Sequence, residues 1–391
     1  MKGVVSKDDG GSGKLSLSQR LISSGDSNSS DASASTPFND PGKPDKHAAA
    51  SEVAVKLLQY NIFLRPPPIN TWWGRERKNE RMSAFVKDFL GDFDVVCLQE
   101  AFAALNRRRQ RLYAAAKRLG FQYRCASTLG LSCCCPRLKL IDGGLVILSK
   151  FPIVRKKFLP FADACDIDKV ARKGVLFAQI ELPNGKCASV FTTHTQASYN
   201  FEPSGRSLQV KYAQMDQIAD FIAEMIKDTP PDWPVLLTGD FNMDTLQRNC
   251  PEYDFMIRAL ERSGLKWTDV MRSCNKGAVI ATTVPFEWKT ASRLAIRSAL
   301  FRGDVEDYEK VSKDKSASAD AEVTNSPAYV PCGKTFWANQ CLDYVFMHSG
   351  AGNARAESAF VDTMTPSCTR ADSPYAQISD HSGIVVNLRI V

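Results

Sequence analysis

The stretch "LLTGDFNMD", residues 236–244, is a short apolar run that ends in an acid, an aromatic residue and an amide. Successive side chains of a strand point to opposite faces, so Asp240 and Asn242 would share one face and Phe241 the other. The ordinary alternative is a local turn in which both polar side chains bond nearby backbone. The residues that the rest of the chain brings to this strand end decide what the pair can do.

Apolar runs alternate with helical patterns, which predicts a layered α/β domain over residues 53–391. "VAVKLLQYN" (53–61) has apolar residues at every second position, and "ERMSAFVKDFL" (80–90) has them at helical spacing. A long amphipathic helix is predicted from the stripe between Leu208 and Met225. The further predicted strands are "DVVCLQE" (94–100), "GLVILS" (144–149), "GVLFAQIEL" (174–182), "CASVFTTH" (187–194), "PVLLTGD" (234–240), "CLDYVFMH" (341–348) and "GIVVNLRIV" (383–391).

Two segments are predicted to lie outside this domain's core. Residues 1–52 are dominated by Ser, Gly, Asp and Pro, and they cannot bury enough apolar surface to offset the entropy of ordering. The strand and helix pattern also lapses at 285–331, where "VSKDKSASADAEVTNSP" (311–327) is typical of disorder. We therefore predict a disordered N-terminal tail and a disordered insertion within the domain.

The composition indicates the cellular compartment of the protein and the kinds of site that it can form. The sequence shows no secretory signal and no apolar run of membrane-spanning length, so we expect a soluble, intracellular, cytoplasmic protein. Its 12 Cys are scattered without Cys-x-x-Cys spacing and its 4 His are few, which disfavours a disulfide scaffold and a His/Cys zinc site. The net charge of +7 indicates affinity for anionic surfaces without distinguishing lipid from nucleic acid.

Polar side chains stand where the predicted strands end. They are Asn61, Gln99, Glu100, His194, Asp240 and Asn242, together with Asp380 and His381 just before the last strand. A rigid sheet holds such residues in fixed relation, which is why α/β folds build sites there. Carboxylates, amides and histidines without cysteine suit a hard cation such as Mg²⁺, which leaves room for phosphate oxygens. Each residue alone could be a solvated strand end, but together they predict a metal-dependent site.

Eight motifs occur in one order along the chain, and they carry a family resemblance. They are "LQYNIFLRPP" (58–67), "DVVCLQEAF" (94–102), "DGGLVILSKFPIV" (142–154), "KGVLFAQI" (173–180), "FTTHTQA" (191–197), "LLTGDFNMD" (236–244), "CLDYVFM" (341–347) and "SDHSG" (379–383). In this order and approximate spacing the chain resembles the endonuclease/exonuclease/phosphatase superfamily, and most closely its neutral sphingomyelinase branch. The resemblance covers nearly all of residues 53–391 apart from the insertion.

The resemblance implies a four-layered α/β sandwich of the deoxyribonuclease type and metal-dependent phosphodiester hydrolysis. It implies Mg²⁺, with Mn²⁺ as an alternative ion, held by Glu100, Asn61 and Asp380. Carried over position by position, the catalytic residues are His381 as general base, Asp343 as its hydrogen-bond partner, Asp240 and Asn242 for the phosphate and water, and His194 for the developing charge and the leaving group.

Asp168 and Lys173 resemble the acid and lysine of a loop beside the active site of sphingomyelinases. We therefore predict that both residues bind the substrate. The alternative, that Lys173 is an ordinary lysine of a surface loop, explains the sequence equally well. Arg172 departs from the family pattern, which often has Asp at that position.

Two segments could contact a bilayer. Cys133, Cys134 and Cys135 lie among basic residues and could be acylated or face lipid, although buried or merely reduced thiols explain them equally well. "FEWKTASRLAIRSALFRG" (286–303) mixes apolar and basic residues as an interfacial helix would, and an ordinary packed helix is the alternative. We expect at most peripheral contact with a membrane, with no transmembrane segment.

The leading hypothesis is cleavage of sphingomyelin, or a related phosphosphingolipid, at a membrane surface to ceramide and a phosphorylated headgroup. An abasic-site or deoxyribonuclease-type nuclease would need basic intercalating loops that the sequence does not identify. An inositol-phosphate phosphatase is disfavoured because "CLDYVF" lacks the Cys-Asp-Arg arrangement expected there. A non-enzymatic lipid-binding module is disfavoured because the ligands and bases are present.

Overall fold

The computed structural model describes residues 52–67, 77–129, 139–198, 205–246, 251–283, 340–366 and 378–391. The strands are β1 (Val53–Asn61), β2 (Val95–Gln99), β3 (Tyr123–Ala126), β4 (Ile141–Asp142), β5 (Val146–Ser149), β6 (Ile153–Pro160), β7 (Ala171–Arg172), β8 (Gly174–Glu181), β9 (Cys187–His194), β10 (Val235–Asp240), β11 (Thr268–Asp269), β12 (Asp343–His348), β13 (Ala354–Asp362) and β14 (Gly383–Ile390). The helices are α1 (Lys78–Asp88), α2 (Arg108–Arg118), α3 (Gly205–Ile226), α4 (Pro251–Glu261) and α5 (Val270–Cys274).

Twelve of these strands form two six-stranded sheets of mixed direction. The first has the order β13-β14-β1-β2-β5-β3, and the second has the order β11-β12-β10-β9-β8-β6. The short strands β4 and β7 pair separately. Near the centre of each sheet lies one parallel pair, β1 with β2 and β9 with β10, while their outer neighbours β14 and β12 run antiparallel.

Successive side chains of the central strands point to opposite faces of each sheet and therefore belong to different hydrophobic cores, three in all among the described residues. Leu57 of β1 and Val190 of β9 point into the core between the two sheets. Their neighbours point outward, Leu58 towards α1 and α2 and Phe191 towards α3 and α4. Since both faces of each sheet are covered, the central strands are apolar at nearly every position. The predicted four-layered sandwich, two packed mixed sheets flanked by helices, is confirmed.

Several sequence predictions fall on residues that the structure does not describe. They are the tail up to residue 51, the insertion at 285–331, the segment 286–303, and Cys133, Cys134 and Cys135. None of the helices in the described ranges is both long enough and apolar enough to cross a bilayer.

Candidate active site

The polar residues predicted at the strand ends lie close together because of the register in which neighbouring strands pair. In the first sheet, Asn61 of β1 lies beside Gln99 of the parallel strand β2. In the second sheet, Asp240 of β10 lies between His194 of β9 and Asp343 of β12. The carboxyl ends of neighbouring parallel strands share one edge of a sheet, so these polar groups are collected at the same end of the sandwich.

Buried hydrogen bonds join the two sheets at this end. The amide nitrogen of Asn61 donates to Asp240 Oδ2 at 3.0 Å, and Gln59 Nε2 donates to Asp343 Oδ1 at 2.7 Å. Gln99 Nε2 donates to the hydroxyl of Thr192 at 2.8 Å. Hydrogen bonds of this kind in a low-dielectric interior hold their partners firmly, so the sheets keep the site residues at fixed separations.

Asp240 fulfils both interpretations of the "LLTGDFNMD" stretch. Its Oδ1 accepts a hydrogen bond from the backbone N–H of Asn242 at 3.0 Å, which is a local turn, while its Oδ2 faces the site. Asn242 adopts a left-handed conformation with φ 51°, and Phe241 between them is fully buried in the outer core. Burial favours the neutral acid, but the neighbouring histidines and the hydrogen bond from Asn61 outweigh it and lower the pKa of Asp240. Of the two histidines, His381 is the one that favours the cation.

His381 and Asp343 form the second feature of the site. His381 Nδ1 lies 2.8 Å from Asp343 Oδ2 and donates to it, because a carboxylate only accepts. Asp343 also accepts from Gln59 and, at 2.7 Å, from the hydroxyl of Thr282. Burial opposes charge on the imidazole, but Asp343 and Asp240 outweigh it and raise the pKa of His381 well above its usual value. The pair therefore favours an imidazolium in the resting protein.

His194 has the opposite electrostatic environment. Its Nε2 lies 3.1 Å from Lys173 Nζ, and because an ammonium only donates, Nε2 accepts and the ring proton is on Nδ1. Burial and the Lys173 charge lower the pKa of His194 to about 4. Its Nδ1 is buried and has no hydrogen-bond partner among the described residues. His194 is therefore a neutral hydrogen-bonding group near neutral pH, and the positive charge beside it is on Lys173.

Lys173 and Asp168 form a buried ion pair at the wall of the site. Lys173 Nζ donates to Asp168 Oδ2 at 2.9 Å, to the carbonyl of Thr195 at 2.8 Å and towards His194. Asp168 Oδ2 also accepts from the backbone N–H of Ala197. All three ammonium protons are used, so a direct contact between Lys173 and a substrate phosphate would require one of these bonds to break. The substrate-binding role of the pair stays a prediction.

We expect replacement of Lys173 by methionine to destabilise the protein by about 3–5 kcal/mol, because the buried Asp168 carboxylate loses its counter-charge. Urea unfolding of the variant measures this loss. The double variant Asp168→Asn/Lys173→Met removes both charges and should recover much of the lost stability. Equal destabilisation in the single and double variants would contradict this account of the pair.

Glu100 is the side chain best suited to hold a metal ion. It follows β2 with a left-handed backbone, φ 56°, and its Oε2 is buried without a hydrogen-bond partner among the described residues. Burial raises the pKa of Glu100; Arg65 opposes this shift and Asp380 adds to it. A buried oxygen without a partner is costly in a protein, and a cation would satisfy it. The donor set therefore fits a hard divalent ion.

Asn61 and Asp380 lie beside this carboxylate. Asn61 Oδ1 accepts from the backbone N–H of Phe63 at 3.1 Å, so its amide nitrogen faces Glu100 and Asp240. Its predicted role as a metal ligand would require rotation of the amide, and this role stays a prediction. Asp380 lines the same cavity as Glu100, and its Oδ1 accepts a hydrogen bond from Ser379.

A second group of potential ligands is Asp240, Asp343 and His381, whose ligand atoms all lie within 4.8 Å of one another. Both oxygens of Asp343 already accept hydrogen bonds, and His381 Nδ1 is used in one of them. An ion in this group would compete with these hydrogen bonds for the oxygens of Asp343. Glu100, with its unsatisfied oxygen, is the stronger candidate ligand.

Most of the site residues described above line one cavity of about 240 Å³. All the predicted site residues except Asn61 and Asp343 are in its lining, and those two lie directly behind it as hydrogen-bond partners. The lining also includes the apolar side chains of Phe63, Phe102 and Ile167. Such a lining of polar and apolar side chains suits a substrate that carries both a phosphate and a hydrocarbon part.

Two supporting residues were not identified from the sequence. Thr282 lies in a loop without a recognisable motif. Arg81, fully buried on α1, donates to the carbonyls of Ile62 and Phe63 after β1 and to that of Ile378 before the last motif. It thereby ties the segment directly after Asn61 to the segment that leads to His381. The amphipathic pattern of the helix does not predict that Arg81 bonds these carbonyls.

Three comparisons place this geometry among known proteins. A family model described as the endonuclease/exonuclease/phosphatase family matches residues 58–381. A sphingomyelinase of Dictyostelium discoideum is 32% identical over 185 residues, which are 40% of this chain and 39% of that protein. A phospholipase C of Staphylococcus aureus is 28% identical over 53% of this chain and 61% of that protein. Sphingomyelinase C of Bacillus cereus is 28% identical over 281 residues, 68% of this chain and 76% of that protein. The chain thus spans less than two thirds of the first two relatives.

Solved structures share the fold. A crystal structure of beta toxin from Staphylococcus aureus superposes with a TM-score of 0.56 at 22% identity, over 85% of this chain and 99% of that chain. A mutant of beta toxin from the same organism, crystallised with bound magnesium ions, gives a TM-score of 0.53 at 20% identity, over the same shares of the two chains.

Proposed function

Because the chain belongs to the endonuclease/exonuclease/phosphatase family, we propose that it is a metal-dependent phosphodiester hydrolase with sphingomyelinase activity. It would cleave sphingomyelin or a related phosphosphingolipid to ceramide and a phosphorylated headgroup. The observation that carries the proposal is the convergence of Glu100, which has an unsatisfied oxygen, with His381 and its partner Asp343 at one cavity whose lining is both polar and apolar. The curated relatives that are sphingomyelinases support the choice of substrate.

Mg²⁺ would be held by Glu100 with Asp380, and Mn²⁺ is the alternative ion. When bound, the ion would neutralise charge on the phosphate oxygens, which otherwise repel an attacking hydroxide. The magnesium ions in the beta toxin structure with this fold support the choice of metal.

His381 would remove the proton from the attacking water. In the base form it keeps its proton on Nδ1, directed to Asp343, and presents the lone pair of Nε2. Nε2 lies 3.7 Å from Asp240 Oδ2, so the water and the carboxylate are expected to be neighbours. Asp343, held by Gln59 and Thr282, fixes the orientation of the ring.

Asp240, Asn242 and His194 would position the phosphate and the leaving group. Because neutral His194 accepts from Lys173 at Nε2, it would stabilise developing charge only through its Nδ1–H, with Lys173 supplying the positive charge behind the ring. The Lys173–Asp168 ion pair and the Glu100 carboxylate line the same cavity.

We also propose that the enzyme works at a membrane surface on the cytoplasmic side. The substrate lies in a bilayer, and the described cysteines are free thiols, as in reducing compartments. Cell fractionation in high and low salt tests this location. Recovery of the protein from the secreted fraction would contradict it.

The experiment that tests the function offers the purified protein four substrates: sphingomyelin, phosphatidylcholine, an inositol lipid and abasic DNA, each with Mg²⁺ or with EDTA. We expect ceramide release from sphingomyelin that EDTA abolishes and Mg²⁺ restores. Cleavage of DNA alone would identify a nuclease and contradict the proposal. Phosphate release from the inositol lipid alone would identify a phosphatase.

A further inference from the structure

A lysine lies on the buried face of α3, behind the cavity wall. Lys211 is 4% exposed and lies on the buried face of α3, between Ser207 and Met215. Burial lowers the pKa of its ammonium to about 8. Desolvating a lysine is costly, and an apolar side chain would pack at this position without that cost. The contacts of the ammonium group therefore point to a functional reason for its presence.

One contact fixes the turn that carries Asn242. Lys211 Nζ donates to the backbone carbonyl of Asn242. The backbone N–H of Asn242 donates to Asp240 Oδ1. The side-chain amide of Asn242 donates to the carbonyl of Thr195 at 3.2 Å. These three bonds hold a residue whose left-handed backbone is an uncommon conformation for anything but glycine. Loss of Lys211 would release one of them at a residue that lines the cavity.

The other contact is with Ser198, which follows β9 and also lines the cavity. Lys211 Nζ donates to Ser198 Oγ at 2.8 Å, so the ammonium occupies a lone pair of the hydroxyl. The hydroxyl keeps its own proton, and its one other partner in the described part of the chain is Ser207 Oγ at 3.4 Å, a long contact. The proton can therefore be donated to an acceptor in the cavity. Polarisation by the ammonium strengthens that donor.

On the basis of the function proposed above, we propose that Ser198 is a further substrate-contacting residue, whose hydroxyl donates to an oxygen of the substrate phosphate. Lys211 is the positioning residue that holds both Ser198 and the Asn242 turn. The assignment makes Lys211 a structural counterpart of Asp343: each is a buried charge that orients a residue at the cavity surface without touching the substrate.

The test compares Ser198→Ala, Lys211→Met and Lys211→Arg in the full chain, with the exposed Lys227→Met as control. For each variant kcat and KM are measured with Mg²⁺ on sphingomyelin in mixed micelles and on soluble bis(4-nitrophenyl) phosphate, together with the melting temperature. We expect Ser198→Ala to raise KM by about 10-fold with little change in kcat, because one hydrogen bond to an anion is lost. Lys211→Met should lower kcat by about 10–100-fold because Asn242 is misplaced. Lys211→Arg should restore most of that loss.

Each other outcome overturns a part of the proposal. Unchanged kinetics in Ser198→Ala exclude the substrate contact, and the melting temperature of this variant checks that it is folded without the acceptor that Ser198 provides for Lys211. A Lys211→Met protein with wild-type kcat, or a loss that arginine does not repair, excludes the positioning role. If the wild type cleaves only the soluble diester, the lipid substrate is wrong and the comparison is made on that diester. If it cleaves neither, calorimetric titration with inorganic phosphate decides: equal affinity in the wild type and Ser198→Ala overturns the contact.

Discussion

Replacement of Glu100 by glutamine should abolish metal-dependent hydrolysis and at the same time raise the stability of the metal-free protein. The carboxylate has a buried oxygen without a partner among the described residues, and burial raises its pKa. The native state of the metal-free protein therefore carries an unfavourable charge at neutral pH. Glutamine has similar shape without that charge, so we expect a gain of about 1–2 kcal/mol in the free energy of unfolding.

The activity should change in the opposite direction. Loss of the metal ligand removes several kcal/mol of charge stabilisation at the phosphate, so kcat/KM is expected to fall by about 10³-fold or more. Thermal unfolding with and without Mg²⁺ provides the second measurement: the ion should stabilise the wild type and leave the Glu100→Gln protein unchanged. Glu261→Gln, an exposed residue on α4, is the matched control. A variant that keeps its activity, or that is less stable than the metal-free wild type, would show that Glu100 is not the ligand.

The sign of the stability effect follows from linkage. A carboxyl whose folded pKa lies above its unfolded pKa binds its proton more tightly in the native state. Its destabilising effect is therefore present at neutral pH and disappears as the pH falls through the folded pKa. The difference in stability between the wild type and Glu100→Gln should accordingly shrink on acidification in the absence of Mg²⁺.

Removal of His381 should cause the second large loss. General base catalysis is worth about 10²–10⁴-fold, so His381→Ala should lower kcat by that order while the metal still binds. His348→Ala, at the far end of β12, is the control. Stopped assays over a range of pH measure the effect, and near-full turnover in His381→Ala would exclude the base role.

The pH dependence identifies the residue more specifically. Asp343 and Asp240 raise the pKa of His381, so wild-type activity should increase with pH as this imidazolium loses its proton. Asp343→Asn removes the nearer anion, which lowers the pKa of His381. We expect its maximal rate to be lower and the acidic limb of its pH profile to move to lower pH. An acidic limb that stays in place would show that another group controls it.

The same shift has a consequence for stability. Because the folded pKa of His381 is raised, its ionisation stabilises the native state fully below the unfolded pKa, near 6.5. This contribution is lost as the pH rises through the folded pKa. The alkaline loss should be absent in His381→Ala, which denaturant unfolding at several pH values can measure.

The central strands were predictable because burial on both faces gives a strong apolar pattern. The predicted runs correspond to β1, β2, β5, β8, β9, β10, β12 and β14, which are the interior strands of the two sheets. Within the two six-stranded sheets, the strands not predicted are the edge strands β3, β6, β11 and β13, and the short pair β4 and β7 was not predicted either. An edge strand has one neighbour and an exposed side, and "IVRKKFLP" of β6 carries three consecutive basic residues there. Its pattern resembles that of a loop.

The site was predictable as a set of residue types, because the polar groups follow the strands directly and their order carries a family resemblance. Glu100, His194, Asp240 and His381 lie together as a strand-end site requires. The resemblance implied the contact between Asp343 and His381, but the other contacts that hold these groups were not predictable. Gln59 and Asp343 are 284 positions apart, and Thr282 lies in a loop without a motif.

The sequence by itself therefore determined the layered fold and the chemical groups at the strand ends, since periodicity and residue type are local properties. The tertiary structure alone decided which groups are charged. His194 is neutral and His381 favours the cation, although both are buried histidines beside Asp240. Lys173 lies next to His194, whereas a second carboxylate, that of Asp343, lies next to His381. Electrostatic energies depend on such distances of a few ångströms.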